Sequence, residues 1–273
     1  MKKHLFGAFL LSGTIFVLTG RIETAWSAGS ESDYQVTATV GGRVVALSPG
    51  MVIATGTRTG DVCRFPSAIE VSATVPDDQG LAAVEIRTHV NELCQMVVES
   101  AGPIENPPTQ PPPEIGASEE LGANVWPPED GTAAPIEPLA VVNHYGWTKH
   151  RVEEYVNIPV TYIYVEMKYK RDGNRVYGGS GALCRMWNDG AGWTQTMQAC
   201  NTSGSGPSSV YVYGRAKFSS WIPPQPSYAL SARFTADPGP RHTCSVSQGT
   251  IPLGWDAICS GGLYYEATAR RLA

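Results

Sequence analysis

The chain has 273 residues, 20 basic against 25 acidic side chains for a net charge of −5, six cysteines and 21 prolines. An acidic chain without a recognisable nucleic-acid motif is a poor candidate for reading nucleic acid. An even cysteine count with no Cys-x-x-Cys spacing argues for a disulfide framework and against a zinc knuckle or redox dithiol.

The chain opens on the basic "MKKH", followed by an apolar run over residues 5–20 and the small residues of "RIETAWSAG". That pattern predicts a secretory signal peptide over 1–28, cleaved after Ser27 or Ala28. No later run is apolar enough for a span of ~20 residues, so no transmembrane segment is expected after cleavage.

Residues 29–102 carry four bases against nine acids. The runs "YQVTATV", "RVVAL", "MVIAT", "IEVSATV" and "AAVEIRTHV" are β-branched and separated by Gly, Pro and Asp turns, predicting a small β domain. A Cys63–Cys94 bond would contribute roughly 3 to 4 kcal/mol to so modest a core.

Residues 103–138 hold ten prolines and seven acids with no base. Each proline fixes φ and removes a backbone donor, so the segment reads as an acidic linker, with Ile104, Val125 and Trp126 as local docking points.

Residues 139–273 reverse the charge, with thirteen bases against eight acids. "TKHRVEEYV" (148–156) places Lys149 and Glu153, and His150 and Glu154, four apart and predicts a two-turn helix. "VTYIYVEMKYK" alternates, with Ile163, Val165, Met167 and Tyr169 on one face and Tyr162, Tyr164, Glu166 and Lys168 on the other. "RDGN" then predicts a tight hairpin. "SVYVYGRAKF" alternates in the same way: Val210, Val212, Ala216 and Phe218 against Tyr211, Tyr213, Arg215 and Lys217. Further strands are expected at "YALSARFT", "HTCSVS" and "LYYEATA". The expected fold is all-β: two small antiparallel sandwich- or barrel-like domains (29–102 and 139–273), disulfide-stabilised and joined by the proline-rich linker.

"WNDGAGW" (187–193) carries turn residues between two tryptophans, predicting a hairpin that sets Trp187 opposite Trp193. That register puts Cys184 opposite Thr196, so a Cys184–Cys200 bond requires a bulge or a longer loop around Gly192. The favoured pairs are nevertheless the local ones, Cys184–Cys200 and Cys244–Cys259.

Catalytic signatures are missing from the sequence. "GGSGA" around Ser180 falls one residue short of the nucleophile elbow and sits within a strand. No metal is expected. The nearest approach to a ligand set is His150, Glu153 and Glu154 on the 148–156 helix with His144 approaching from the preceding loop, and salt-bridging on a solvated helix explains the same residues. Asp189, Asp256, Glu166 and Glu266 are available to a hydrolase, but no spacing pairs them.

The aromatic and basic residues point to binding. Trp187, Trp193, Tyr162, Tyr164, Tyr211, Tyr213, Arg215 and Lys217 are the candidate ligand contacts, because flat rings with polar tips beside cations suit sugar rings or proline-rich peptides. The expected function is that of a secreted, non-enzymatic binding or surface-structural protein meeting a glycan or an anionic cell-envelope polymer, with no cofactor. The rivals are a secreted hydrolase with an accessory domain and a self-assembling coat subunit.

Overall fold

Strands form wherever apolar side chains recur at every second position. The computed structural model describes residues 34–40, 42–75, 82–104, 142–154, 156–172, 175–190, 192–206, 209–237 and 239–265. The leader read at 1–28, most of the linker, Val125, Trp126 and Glu266 lie outside them. Short strands come first: β1 (Val36–Val40), β2 (Arg43–Ala46), β3 (Val52–Thr55), β4 (Thr57–Thr59), β5 (Val62–Arg64) and β6 (Ile69–Thr74). Two nine-residue strands follow, β7 (Ala82–Val90) and β8 (Gln95–Pro103). The remainder are long: β9 (Val142–Glu153), β10 (Pro159–Asp172), β11 (Arg175–Asn188), β12 (Trp193–Gly206), β13 (Ser209–Ser220), β14 (Ser227–Ala236), β15 (Arg241–Pro252) and β16 (Asp256–Tyr265).

These strands build two antiparallel sheets, each curled into a half-barrel. The nine-stranded sheet runs β12-β13-β14-β15-β6-β1-β2, with β5 also paired to β15 and β4 to β5. The seven-stranded sheet runs β11-β10-β9-β16-β7-β8-β3. The predicted core faces are correct: Ile163, Val165, Met167 and Tyr169, and Val210, Val212, Ala216 and Phe218, are all at most 1% exposed. The strands read on either side of "RDGN" pair antiparallel up to Asp172↔Arg175, while the turn residues 173–174 lie outside the described residues.

The expectation of two separately cored domains is corrected by the pairing. β15 pairs with β6 from Arg241↔Thr74 to Val246↔Ile69, and β16 pairs with β7 from Asp256↔His89 to Leu263↔Ala82. Strands from either side of the linker therefore share both sheets, the described residues form one compact unit, and one apolar cluster runs from Val36 to Leu263. The physical reason is that β5, β6 and β7 each have an edge which β15 or β16 satisfies. Backbone donors and acceptors left on a sheet edge are costly when covered.

The helix expected at 148–156 is also corrected, since residues 148–153 belong to β9. The i,i+4 charges there belong to a period-2 pattern. Thr148, His150 and Val152 point into the core and are at most 3% exposed, which leaves Lys149, Arg151 and Glu153 on the outer face.

All three expected disulfides form, and each ties one sheet to the other. Cys63 (β5) joins Cys94, between β7 and β8; Cys184 (β11) joins Cys200 (β12); Cys244 (β15) joins Cys259 (β16). The Cα separations are 5.3, 5.9 and 5.7 Å. Such bonds belong to an oxidising compartment.

The Cys184–Cys200 bond also resolves the register conflict at "WNDGAGW". β11 and β12 lie in different sheets, so the segment is an arch that crosses the sandwich, with Gly192 midway between the two cysteines at φ 76°. Asn188 Oδ1 accepts from the Gly190 N–H at 2.7 Å and supplies the turn. Trp187 pairs with Tyr162 and Trp193 with Ser220, so the predicted cross-strand tryptophan pair does not form.

The sheets approach closely where a side chain is missing. A Cβ on Gly146 would lie 1.9 Å from Cε1 of Phe234, which is fully buried. Gly146→Ala is therefore expected to destabilise by about 1–3 kcal/mol through overpacking, read as a lower urea midpoint at unchanged slope.

Candidate functional site

The outer face of the nine-stranded sheet repeats hydroxyls and arginines with period two. On β14 the outward positions are Ser227, Ala229, Ser231, Arg233 and Thr235; on β15 they include Arg241, Thr243, Ser245 and Ser247. Antiparallel register sets these in rows across the strands: Tyr213, Arg233, Thr243, Ser72 and Thr37 in one, and Arg215, Ser231, Ser245, Glu70 and Thr39 in the next. Two adjoining depressions of about 410 and 930 Å³ follow the rows and share Ser245. Among the described residues, four arginines (Arg64, Arg215, Arg233, Arg241) and one acid (Glu70) line them.

The hydroxyls are already ordered. Ser231 Oγ and Ser245 Oγ lie 2.6 Å apart, Ser72 Oγ and Thr243 Oγ1 3.0 Å, and Arg215 Nη2 is 3.4 Å from Ser247 Oγ. The Arg233 guanidinium stacks 4.0 Å above the Tyr211 ring, and Arg241 Nη2 pairs with Asp237 Oδ2 at 3.1 Å. Cations fixed by stacking and pairing lose less freedom when they meet a ligand. The arrangement suits oxyanions and sugar hydroxyls: guanidinium forks take a carboxylate or phosphate, and serine and threonine both donate and accept.

The predicted ligand contacts do not form one surface. Tyr211, Tyr213, Arg215 and Lys217 sit together on the outer side of β13, as alternation predicts, and Tyr213 and Arg215 line the groove. Tyr162 and Trp187 lie instead on the outer face of the seven-stranded sheet, stacked at 5.6 Å, with Lys149 Nζ 4.5 Å from the Tyr162 ring centre. Burial raises the Tyr162 hydroxyl above its usual pKa, with Arg185 opposing. Burial, with Arg151 adding to it, lowers the Lys149 ammonium.

Two of the predicted contacts are corrected. Tyr164 is 2% exposed, packs in a small cluster with Trp147 and Ala83, and donates its hydroxyl to Glu166. Ile104 joins that cluster and donates its N–H to the Ala83 carbonyl, as its expected docking role requires. Trp193 packs against the core, with Tyr228 at 5.8 Å and Trp255 at 6.2 Å, so it is not half of a tweezer at a loop tip.

The weak metal set disperses as well. His144 stacks on Tyr169 at 5.2 Å inside the sandwich, and His150 turns Nδ1 to the Ser231 carbonyl at 3.1 Å. Glu153 is on the opposite side of β9, held by Arg151 and Arg87 at 2.8 and 3.3 Å, and Glu154 follows the end of the strand. A strand sends positions 150 and 153 to opposite faces, whereas a helix would have brought them together.

Sequence reasoning missed Arg233, Arg241, Arg64, Glu70 and the hydroxyl rows. Their signal was the Ser/Arg/Thr alternation within "SARFT" and "RHTCSVS". No protein-family model matches the chain, and neither a curated protein nor a solved structure matches it.

Proposed function

We propose that the protein is a secreted, non-enzymatic binding protein that holds an anionic glycan along the outer face of its nine-stranded sheet. The observation that carries this reading is the groove in which four arginines meet one glutamate among ordered hydroxyls. The signal-peptide pattern at 1–28 and the three inter-sheet disulfides support export. Arginine forks supply the charge-assisted bonds, the serine and threonine rows satisfy sugar hydroxyls, and Tyr213 offers an edge against which a ring can lie.

The test is retention of the full mature chain on purified acidic polysaccharide across a salt series. Arg233→Ala and Arg241→Ala are each expected to weaken binding about ten- to hundredfold at low salt, since a charge-assisted bond contributes about 1.5–3 kcal/mol. Trp187→Ala, on the other sheet, is expected to leave binding unchanged. Equal retention of the wild type and both arginine variants would sink the proposal.

A further inference from the structure

The outer face of the seven-stranded sheet ends in a network of charged side chains far apart in sequence. Arg87 Nη1 lies 2.9 Å from Asp256 Oδ2 and 3.3 Å from Glu153 Oε2, and Arg151 Nη2 lies 3.6 Å from Glu85 Oε2. On the side of Asp256 away from Arg87, His89 Nδ1 lies 2.8 Å from Oδ1 and 3.9 Å from Glu99 Oε1. One atom from each of His89, Glu99 and Asp256 falls within 4.8 Å of the others.

The backbone is built to bring Glu99 there. Arg87 pairs with Ser100 and the next residue, Thr88, pairs with Val98, so Glu99 is the extra residue of a β-bulge. A bulge interrupts the ladder and re-aims one side chain. Asp256, with its side chain 10% exposed, is oriented by Arg87 through its other oxygen, as carboxylate ligands of metals commonly are. His89 and Glu99, at 32% and 43%, leave an open approach from solvent.

We infer that His89, Glu99 and Asp256 form a binding site for a divalent transition metal, with zinc the best fit. One imidazole nitrogen and two carboxylate oxygens are borderline ligands that suit zinc better than the all-oxygen shell calcium prefers. Tetrahedral zinc at ~2.0–2.1 Å from each ligand spaces the ligands by about 3.3 Å. The two His89 distances need to change by only about half an ångström to meet that spacing. Glu85, Glu99, Glu153 and Asp256 outnumber Arg87, Arg151 and Lys149, so the local field favours a cation. Three protein ligands leave a fourth position for water or a ligand oxygen.

The experiment is a calorimetric titration of the metal-free, disulfide-intact full chain with zinc alone. One equivalent is expected to bind, with His89→Gln and Glu99→Gln each weakening it at least about tenfold. Glu92→Gln, in the exposed turn before β8, is expected to change nothing. Glu99 is exposed enough that its variant keeps the fold, which near-UV circular dichroism checks. No heat at millimolar zinc, or binding that both variants retain, would overturn the assignment.

Discussion

Reduction of the three disulfides is expected to unfold the protein at room temperature. Cys184–Cys200 and Cys244–Cys259 close loops of sequence separation 16 and 15, and Cys63–Cys94 one of 31. Loop-closure entropy assigns about 3 kcal/mol to each of the first two and nearly 4 to the third. Their sum of about 10 kcal/mol is comparable with the whole stability of a typical domain, about 5–15 kcal/mol. The topology sharpens the point, because every one of the bonds joins the two sheets. Cleaving them leaves the sheets held face to face by side-chain packing and a few hydrogen bonds, such as those from Thr148 and His150 to the backbone of β14.

Among single pairs, Cys63→Ala with Cys94→Ala is expected to cost most, about 3–5 kcal/mol, because it closes the longest loop. Both residues are at most 1% exposed, so lost packing adds to lost entropy. Urea titration with and without reductant reads both effects. A reduced chain that keeps its near-UV signal and a cooperative transition would show that the sandwich holds without its disulfides.

What the sequence made legible follows from the range of each interaction. Strand alternation is local, so Ile163 to Tyr169 and Val210 to Phe218 were placed on the core side correctly. The cysteine pairs were legible because two of them link consecutive strands. Pairing across the linker was not legible: β15 meets β6 about 170 residues away, where Ser72 Oγ donates to the His242 carbonyl at 3.0 Å. Nothing in a local pattern announces such a partner.

The same limit hid the groove, whose rows draw one residue from each of five strands, and the Arg87–Asp256 pair, 169 positions apart. The two local errors have local causes. Lys149 and Glu153 satisfy helical spacing and strand alternation alike, and the burial of Thr148, His150 and Val152 decides between them. Asn-Asp-Gly serves an arch between sheets as well as a hairpin within one, so Trp187 and Trp193 could not be placed from turn chemistry.

Stability is expected to fall steeply as pH drops from about 6.5 toward 4, through two histidines sealed between the sheets. His242 is 0% exposed, with Phe234 and Ala73 beside it on the neighbouring strands and Gly261 facing it. Burial pushes its pKa down to about 3. His150 is 3% exposed between Ile163 and Cys259, and burial takes it down to about 4 despite the Ser231 carbonyl that opposes the shift. Burial lowers His144 as well.

The sign follows from where each state takes up its proton. The unfolded chain protonates these histidines near pH 6.5 and the folded chain does not until near pH 4 or below, so acid favours unfolding throughout that window. Each contributes about 1.4 kcal/mol per pH unit, or about 4 kcal/mol from His150 and His242 together by pH 5. Above pH 7.5 neither contributes. Urea midpoints at pH 7.5, 6 and 5 are expected to decline in the wild type and to decline about half as steeply in His242→Leu, which replaces a buried imidazole with an apolar side chain of similar size. A flat profile in the wild type would mean that protonated His150 and His242 find solvent or a partner within the fold. The dependence also decides how the binding proposal must be tested: a ligand released at pH 4 could be released by unfolding, so only elution by salt at neutral pH reports on the arginine groove.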